Sequence, residues 1–549
     1  MNRRSAARVA VVTALVGAAV GATNASGAGT LVFAASADPI VLDGALVSDG
    51  ESARAVFQIF ESLVALKPGS TKVEPLLATS WKASTDSKTW TFNLRPGVTF
   101  HDATKLNAAA VCFNFERWFG FKGSLQLDSA SYYWQTVFGG FKDASGPGPD
   151  AKDGLYKSCT AVDDATVRIE LTRPSASFLG ALALPAFAIA SPDALQKYGA
   201  DEGAVNADGI FQPTGTFGTA HPIGSGPFKF ESWTRGDRLV LARNDAYWGT
   251  KASLDRVIIR PIADNSARLQ ALQNGEIQGY DNAEPQDVKS LQKNEALKVI
   301  ERPAFNVGYV GFNSSRAPTN NKLVRQAIAY GLDRKAVVDT FYAGRGQVAR
   351  EFQPPQLFGW TPNVTQYPYN PARAKALLRK AGLTLPVKIE FWYPTDVSRP
   401  YMPDPKRNFQ GFQASLEKSG FKVIPKSAPW SPDYVGKMNE GKNGNLYLFG
   451  WTGDYGDPDN FLGTFFQQFT NQWSFKDPKI FSLLNRAERE TRVSARTNLY
   501  RQANRYIMGT LLPGVPYVHT KPVLAFSSKV SGYTPSPVAL ESFAPVTLS

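Results

Sequence analysis

At 549 residues the chain is too long for one ordinary core, so two or three domains are expected. A composition of 43% hydrophobic and 19% charged residues excludes a disordered chain. The net charge is +13, and losing Arg3, Arg4 and Arg8 with an acid-free leader lowers it to +10. There is no basic helix and no interleaved basic–aromatic motif, so the charge reads as dispersed and solvated, with no nucleic-acid partner.

After its first arginines the chain runs apolar from Val9 to Ala22 and then through Ala25-Ser26-Gly27-Ala28-Gly29. That order is a secretory signal peptide over 1–28, cleaved after Gly27 or Ala28. The run is too short for a membrane-spanning helix. No cysteine lies near the cleavage zone, which excludes a lipid anchor there. The mature protein is expected to be exported and soluble, in a periplasm or outside the cell. In that setting Cys112 and Cys159 can pair; the alternative is two separate buried thiols.

Leu31-Val32-Phe33-Ala34-Ala35 opens the mature chain as a strand. Ala53, Val56, Phe57, Phe60, Leu63 and Val64 recur at helical spacing and predict a helix over 51–66, stopped before Pro68-Gly69. Trp90, Phe92 and Leu94 alternate with polar residues as a half-buried strand, which Pro96-Gly97 turns into a returning strand at Val98-Thr99-Phe100. Asn107 caps a helix through Trp118. Residues 139–160, rich in glycine and proline, read as a surface loop. Val167, Ile169 and Leu171 alternate as a further strand. A β-rich return begins at Gly224-Ser225-Gly226-Pro227-Phe228-Lys229-Phe230 and closes at Asn244-Asp245-Ala246-Tyr247-Trp248-Gly249. Strand 257–260 and helix 266–274, with Gly275 as its stop, form a strand–helix unit.

Strand 308–312 and helix 323–332 come next. Asn370-Pro371 starts a helix that Gly382 ends. Val387, Ile389, Phe391 and Tyr393 alternate as a strand that runs into Ser398-Arg399-Pro400-Tyr401-Met402-Pro403. Residues 478–512 read as helical, with Arg486, Glu488, Arg489, Glu490 and Arg492 as a solvated face. Pro516-Tyr517-Val518-His519 and Val523-Leu524-Ala525-Phe526 close the chain as strands. Strands interleaved with helices throughout argue for α/β domains.

Ahead of that helical segment, Leu446-Tyr447-Leu448-Phe449 reads as a short buried strand. It leads into Gly450-Trp451-Thr452-Gly453-Asp454-Tyr455-Gly456-Asp457-Pro458-Asp459-Asn460-Phe461. Asp457 is expected as a helix N-cap with Pro458 in the first helical position. That leaves Asp454 without a structural task, on a glycine-rich turn beside Trp451 and Tyr455, where a carboxylate can hold a cation. The plainer alternative is a solvated acidic turn. His101, His221 and His519 have no paired spacing for zinc, and the three aspartates do not follow the calcium-loop pattern. There is no nucleophile elbow, dinucleotide fingerprint or phosphate loop, so no catalytic residue and no cofactor are expected.

The acidic stretch resembles one found in bacterial extracellular solute-binding proteins of family 5, the dipeptide- and oligopeptide-binding proteins of ABC transporters. Trp81-Lys82-Ala83-Ser84 through Arg95-Pro96-Gly97-Val98, then Phe100-His101-Asp102, is similar to that family's N-terminal signature, and the 224–230 and 244–249 stretches are similar to it too. The resemblance covers roughly 30–549. It implies a two-lobed periplasmic-binding-protein-like (type II) α/β fold with an extra domain inserted on the first lobe. Carried onto this chain, the first lobe takes 29–72, 222–304 and 521–549, the extra domain 73–221 and the second lobe 305–520. It implies a monomer that captures short peptides, dipeptides above all, and presents them to ABC permease and ATPase subunits without making or breaking a bond. Asp454 would take the peptide ammonium and Arg399, in Arg399-Pro400-Tyr401-Met402-Pro403, the peptide carboxylate, with Trp451 and Tyr401 beside them. Alternatives are a nickel complex, haem or an oligosaccharide as ligand. A rival of another class is an exported hydrolase using Asp454 and Asp457.

Overall fold

The computed structural model describes residues 29–143, 154–207 and 209–549; the expected signal peptide lies outside them. One sheet has seven strands in the order Phe228–Thr234, Arg238–Arg243, Arg256–Pro261, Thr30–Ala35, Gly279–Tyr280, Val523–Ser527, Leu297–Glu301. Thr30–Ala35 sits centrally, buried at every position and parallel to both neighbours. A second sheet has six strands in the order Gly346–Val348, Gly514–Thr520, Asn306–Phe312, Leu446–Thr452, Val387–Thr395, Phe421–Pro429. Its Asn306–Phe312 and Gly514–Thr520 strands are buried throughout, which is why they read as near-continuous apolar runs. A four-stranded antiparallel sheet orders Ala78–Ala83, Thr89–Leu94, Thr166–Leu171 and Tyr156–Asp163.

One hydrophobic core runs through the seven-stranded and four-stranded sheets together, a smaller one packs Val32 and Ala34 of the seven-stranded sheet against Ala271, Leu272 and Leu291, and a separate core fills the six-stranded sheet. The fold is therefore two α/β lobes, with an extra domain built on the first. The chain crosses between lobes twice, from Leu297–Glu301 to Asn306–Phe312 and back from Gly514–Thr520 to Val523–Ser527. The crossings are bonded to each other: Arg302 N donates to Pro522 O at 2.8 Å.

Several expectations need correction. The first helix is Gly50–Ile59, not 51–66. The chain leaves it because the Glu61 carboxylate is drawn to Ser225, Tyr247 and Trp248, which all donate to it at 2.8 Å. No strand forms at Val98-Thr99-Phe100 beyond a single bridge between Thr99 and Lys105. The edge of Thr89–Leu94 is occupied by Thr166–Leu171 instead. The 139–160 loop contains buried Phe141 and the start of the Tyr156–Asp163 strand; its 144–153 portion lies outside the described residues. The 478–512 segment is two helices, Pro478–Arg489 and Val493–Tyr506, then a π turn Ile507–Leu511. Glu488 does not belong to a solvated face; it is buried against the extra domain, whose Ala176 N donates to Glu488 O at 3.0 Å.

Cys112, on the Ala108–Phe119 helix, and Cys159, on the Tyr156–Asp163 strand, form a disulfide inside the extra domain. It closes a long loop, so its loss frees the unfolded chain more than the folded one. Cys112→Ser/Cys159→Ser is expected to destabilise the extra domain by about 2–4 kcal/mol. Denaturant titration in oxidised and reduced forms checks this, the reduced wild type matching the double variant.

Candidate functional site

The Val387–Thr395 and Leu446–Thr452 strands lie parallel, with Phe391 opposite Leu446 and Trp392 opposite Tyr447. Arg399 stands as many residues beyond Phe391 as Asp454 does beyond Leu446. Both therefore emerge past the carboxyl ends of neighbouring strands, the edge where α/β sheets receive ligands.

Beyond Thr395 the chain folds into a tight turn. Arg399 N donates to Met402 O at 3.1 Å, and Met402 N to Arg399 O at 2.9 Å. Thr520 Oγ1 donates to Pro400 O at 2.6 Å and ties this turn to the second crossing. The Arg399 guanidinium lies 4.6 Å from the centroid of the Trp430 ring. Trp430 in turn stacks on Phe449 and Tyr434, giving the cation a stiff aromatic floor. Arg399 Nε is buried and has no hydrogen-bond partner among the described residues. Tyr401 packs below the turn, 5% exposed, and burial pushes its hydroxyl up to about 12. Its ring explains Gly450: a Cβ there would stand 2.3 Å from it. The glycine thus serves close packing within a strand that continues to Thr452, not a turn at the strand end.

Asp454 is not without partners, contrary to the reading of the sequence. Asn460 Nδ2 donates to its Oδ2 at 3.0 Å, and Tyr133 OH donates to its Oδ1 at 3.1 Å. Asp454 N donates to Asn460 Oδ1 at 2.8 Å, and Trp451 Nε1 reaches the same oxygen at 3.3 Å. Asn460 thus brackets the turn, and Tyr133 arrives from the Asp128–Val137 helix of the extra domain. Every donor to the carboxylate is neutral. Burial pushes the Asp454 carboxyl up to about 6, with the bonds from Asn460 and Tyr133 pulling it back.

Asp457 is different in kind. Arg496 grips it bidentately, Nη1 to Oδ2 at 2.6 Å and Nη2 to Oδ1 at 2.8 Å. Its Oδ1 also accepts from Asp459 N at 2.9 Å, but the next element is a π turn, Asp459–Gly463, and not the expected α-helix. Asp459 meets the extra domain, accepting from Ser177 Oγ at 3.2 Å; burial, with Asp457 and Glu488 nearby, pushes it up to about 7. Tyr455 packs into the first core, against Gly180. The lobes therefore meet along the acidic stretch. Among the described residues no group of His, Cys, Asp and Glu has metal-holding geometry.

Asp454, Arg399, Trp451 and Tyr401 thus belong to one lobe edge. Tyr133, Trp430 and Asn460 were not anticipated. Asn460 stands in the acidic stretch itself and was legible there; Tyr133 lies 321 residues from its partner and left no sequence signal.

The model of bacterial extracellular solute-binding proteins, family 5 (middle region), matches residues 72–473. The chain belongs to this family. Among its family 5 relatives, the chain is 31% identical to a dipeptide-binding protein of Escherichia coli, over 94% of each chain. It is 32% identical to heme-binding protein A of Haemophilus influenzae, over 94% of this chain and 91% of that one. A solved periplasmic binding protein of Helicobacter pylori, in complex with the peptide STSA, superposes with a TM-score of 0.81 at 31% identity, covering 95% of this chain and 98% of that one.

Asp457→Ala is expected to cost about 3–5 kcal/mol, because it leaves Arg496 buried and unpaired. A lost helix cap alone would cost only about 1 kcal/mol. Urea denaturation separates the two values.

Proposed function

We propose that the protein is the extracytoplasmic substrate-binding component of an ABC importer, which captures short peptides by their two charged ends. The observation that carries this reading is the pairing of Asp454, a carboxylate with only neutral donors, with Arg399, a cation on an aromatic floor, past the ends of adjacent strands. The ammonium of a peptide would complete the first, and its carboxylate would take the planar fork of the second. The names of the dipeptide-binding relative and the STSA complex support the same ligand class. The heme-binding relative supports haem instead, but a haem has no ammonium to offer Asp454. A hydrolase using Asp454 and Asp457 loses support, since Arg496 already holds Asp457.

The first lobe is taken as 29–72, 222–304 and 521–549, the extra domain as 73–221 and the second lobe as 305–520. The separate core of the six-stranded sheet and the two crossings support the split between the second lobe and the rest, and the separate four-stranded sheet supports the extra domain. Peptide stabilises the closed form, which is presented to a membrane permease with its ATPase, and no bond is made or broken.

Asp454→Asn removes the charge and keeps the shape. A charge-assisted bond is worth about 1.5–3 kcal/mol, so affinity for dialanine is expected to fall roughly 10- to 150-fold by titration calorimetry. Protonation of Asp454 acts the same way. Wild-type affinity is expected to be flat well above pH 6 and to fall about tenfold per unit below it, a fall absent from Asp454→Asn. Unchanged affinity in the variant removes Asp454 from the site.

If both termini are held on the second lobe, their separation acts as a ruler. Each extended residue adds about 3.3–3.6 Å, which takes a tripeptide carboxylate out of hydrogen-bond reach. Dipeptides are therefore expected to bind more tightly than tripeptides, amidated dipeptides to lose binding, and Arg399→Ala to erase most of the length preference. Equal binding of tetrapeptides or amidated dipeptides refutes the ruler. Turnover of peptide in the same titration would restore the hydrolase.

A further inference from the structure

Arg399 is not the only cation at its place in the cleft. A pocket opens beside it, between the turn that carries it and the second crossing. Asn282 lines this pocket from the first lobe, Arg345, Ser398 and Arg399 line it from the second, and Lys521 lines it from the crossing. The walls are docked on that crossing and on each other. Thr520 Oγ1 donates to Pro400 O at 2.6 Å, Lys521 N to Arg345 O at 2.9 Å and Ala283 N to Val523 O at 2.9 Å. Arg345 N donates to Tyr342 O at 2.8 Å, and Tyr342 OH donates to Tyr401 O at 3.0 Å. The pocket has room for about two water-sized groups, the size of the two oxygens of one carboxylate.

Three donors on these walls are buried and have no hydrogen-bond partner among the described residues: Arg345 Nε, Ser398 Oγ and Arg399 Nε. Asn282 Oδ1 is an unfilled acceptor on the opposite wall. Buried polar atoms are rarely left unfilled, so three donors against one acceptor mark the place of an acceptor group. The charge has the same sense. Arg345, Arg399 and Lys521 line the pocket, and none of its lining residues is an acid. The acids around it are engaged elsewhere. Glu301 pairs with Arg345 at 3.4 Å from outside the pocket, and Arg54 and Arg407 hold Asp281 and Asp404 at 2.8 and 3.1 Å. Glu284 accepts from Asn265 at 3.1 Å, and burial pushes it up to about 7. Asp49 is bonded to the backbone of its own helix. One peptide carboxylate on Arg399 therefore leaves cationic donors over.

We propose that this pocket binds a second carboxylate of the ligand, the side chain of an acidic C-terminal residue, so that the substrate class is short peptides ending in aspartate or glutamate. This rests on the peptide reading of the cleft, in which Arg399 takes the terminal carboxylate. Two carboxylates carried on one residue suit cations carried side by side, and Arg345, Lys521 and Ser398 supply the second set of donors.

The test compares Ala-Asp and Ala-Glu with Ala-Asn and Ala-Gln, which keep the shape and lack the charge, and Glu-Ala with Gln-Ala as a control for position. Each is titrated by calorimetry into wild type, Arg345→Gln and Lys521→Gln. Lys521 is exposed and keeps its backbone bond in the variant, so that fold is retained. At least one of Ala-Asp and Ala-Glu is expected to bind wild type about tenfold or more tightly than its amide partner, the scale of one charge-assisted bond. That ratio is expected to collapse towards one in Arg345→Gln and to shrink in Lys521→Gln, while Glu-Ala and Gln-Ala bind alike. If acid and amide peptides bind wild type equally, the inference falls while the peptide reading stands. If Glu-Ala is preferred as strongly, or the ratio persists in both variants, the preference does not belong to this pocket and the assignment is overturned. If no dipeptide binds wild type, the peptide reading falls and takes this inference with it.

Discussion

A carboxylate held only by neutral donors is the interaction around which the cleft is arranged. Asp454 receives Tyr133 from one half of the molecule and Asn460 from its own turn, and burial still raises its proton affinity. Neutral donors fix the geometry without cancelling the charge, so the group stays complementary to a cation. The next acid along the turn shows the contrast. Asp457 has the same parent loop, but Arg496 satisfies it on both oxygens, and its role ends with the fold. Two aspartates of one turn thus divide into one whose charge is paired by an arginine and one that is hydrogen-bonded but keeps its charge unpaired.

The geometry behind this division is set by packing beneath the strand ends. A Cβ on Gly453 would stand 2.2 Å from the Phe305 ring, just as one on Gly450 would strike Tyr401. Phe305 lies on the first crossing, while Tyr401 lies in the turn that carries Arg399. The backbone before Asp454 is therefore pressed against both the interlobe connection and the turn that carries Arg399. A side chain at either glycine would move the two arms relative to each other without touching either charged group.

Much of this was legible in the sequence. Alternation marked the Thr89–Leu94, Thr166–Leu171 and Val387–Thr395 strands, and Asn107 and Asn370 start helices as their side chains suggest. Arg399 and Asp454 stood out through resemblance to family 5, each in a short run of distinctive words. What was not legible depends on distant partners. The end of the Gly50–Ile59 helix is decided by Ser225, Tyr247 and Trp248 acting on Glu61. Glu488 sits among arginines at helical spacing and reads as surface, because nothing local announces that the extra domain covers it. Asp457 looked like a cap because Asp-Pro often is one, and Arg496 lies a helix away.

The two interlobe crossings bear on timing. Arg302 N on one is bonded to Pro522 O on the other, so the two strands of the connection are tied side by side. Arg399 and Asp454 both ride on the second lobe, whereas Tyr133 rides on the first half. In kinetic terms the two groups act at different moments. On the reading proposed above, a ligand first meets the second lobe, which carries both Arg399 and Asp454. On the same reading, residence is set by the first half, whose Tyr133 must withdraw from Asp454 before the ligand can leave.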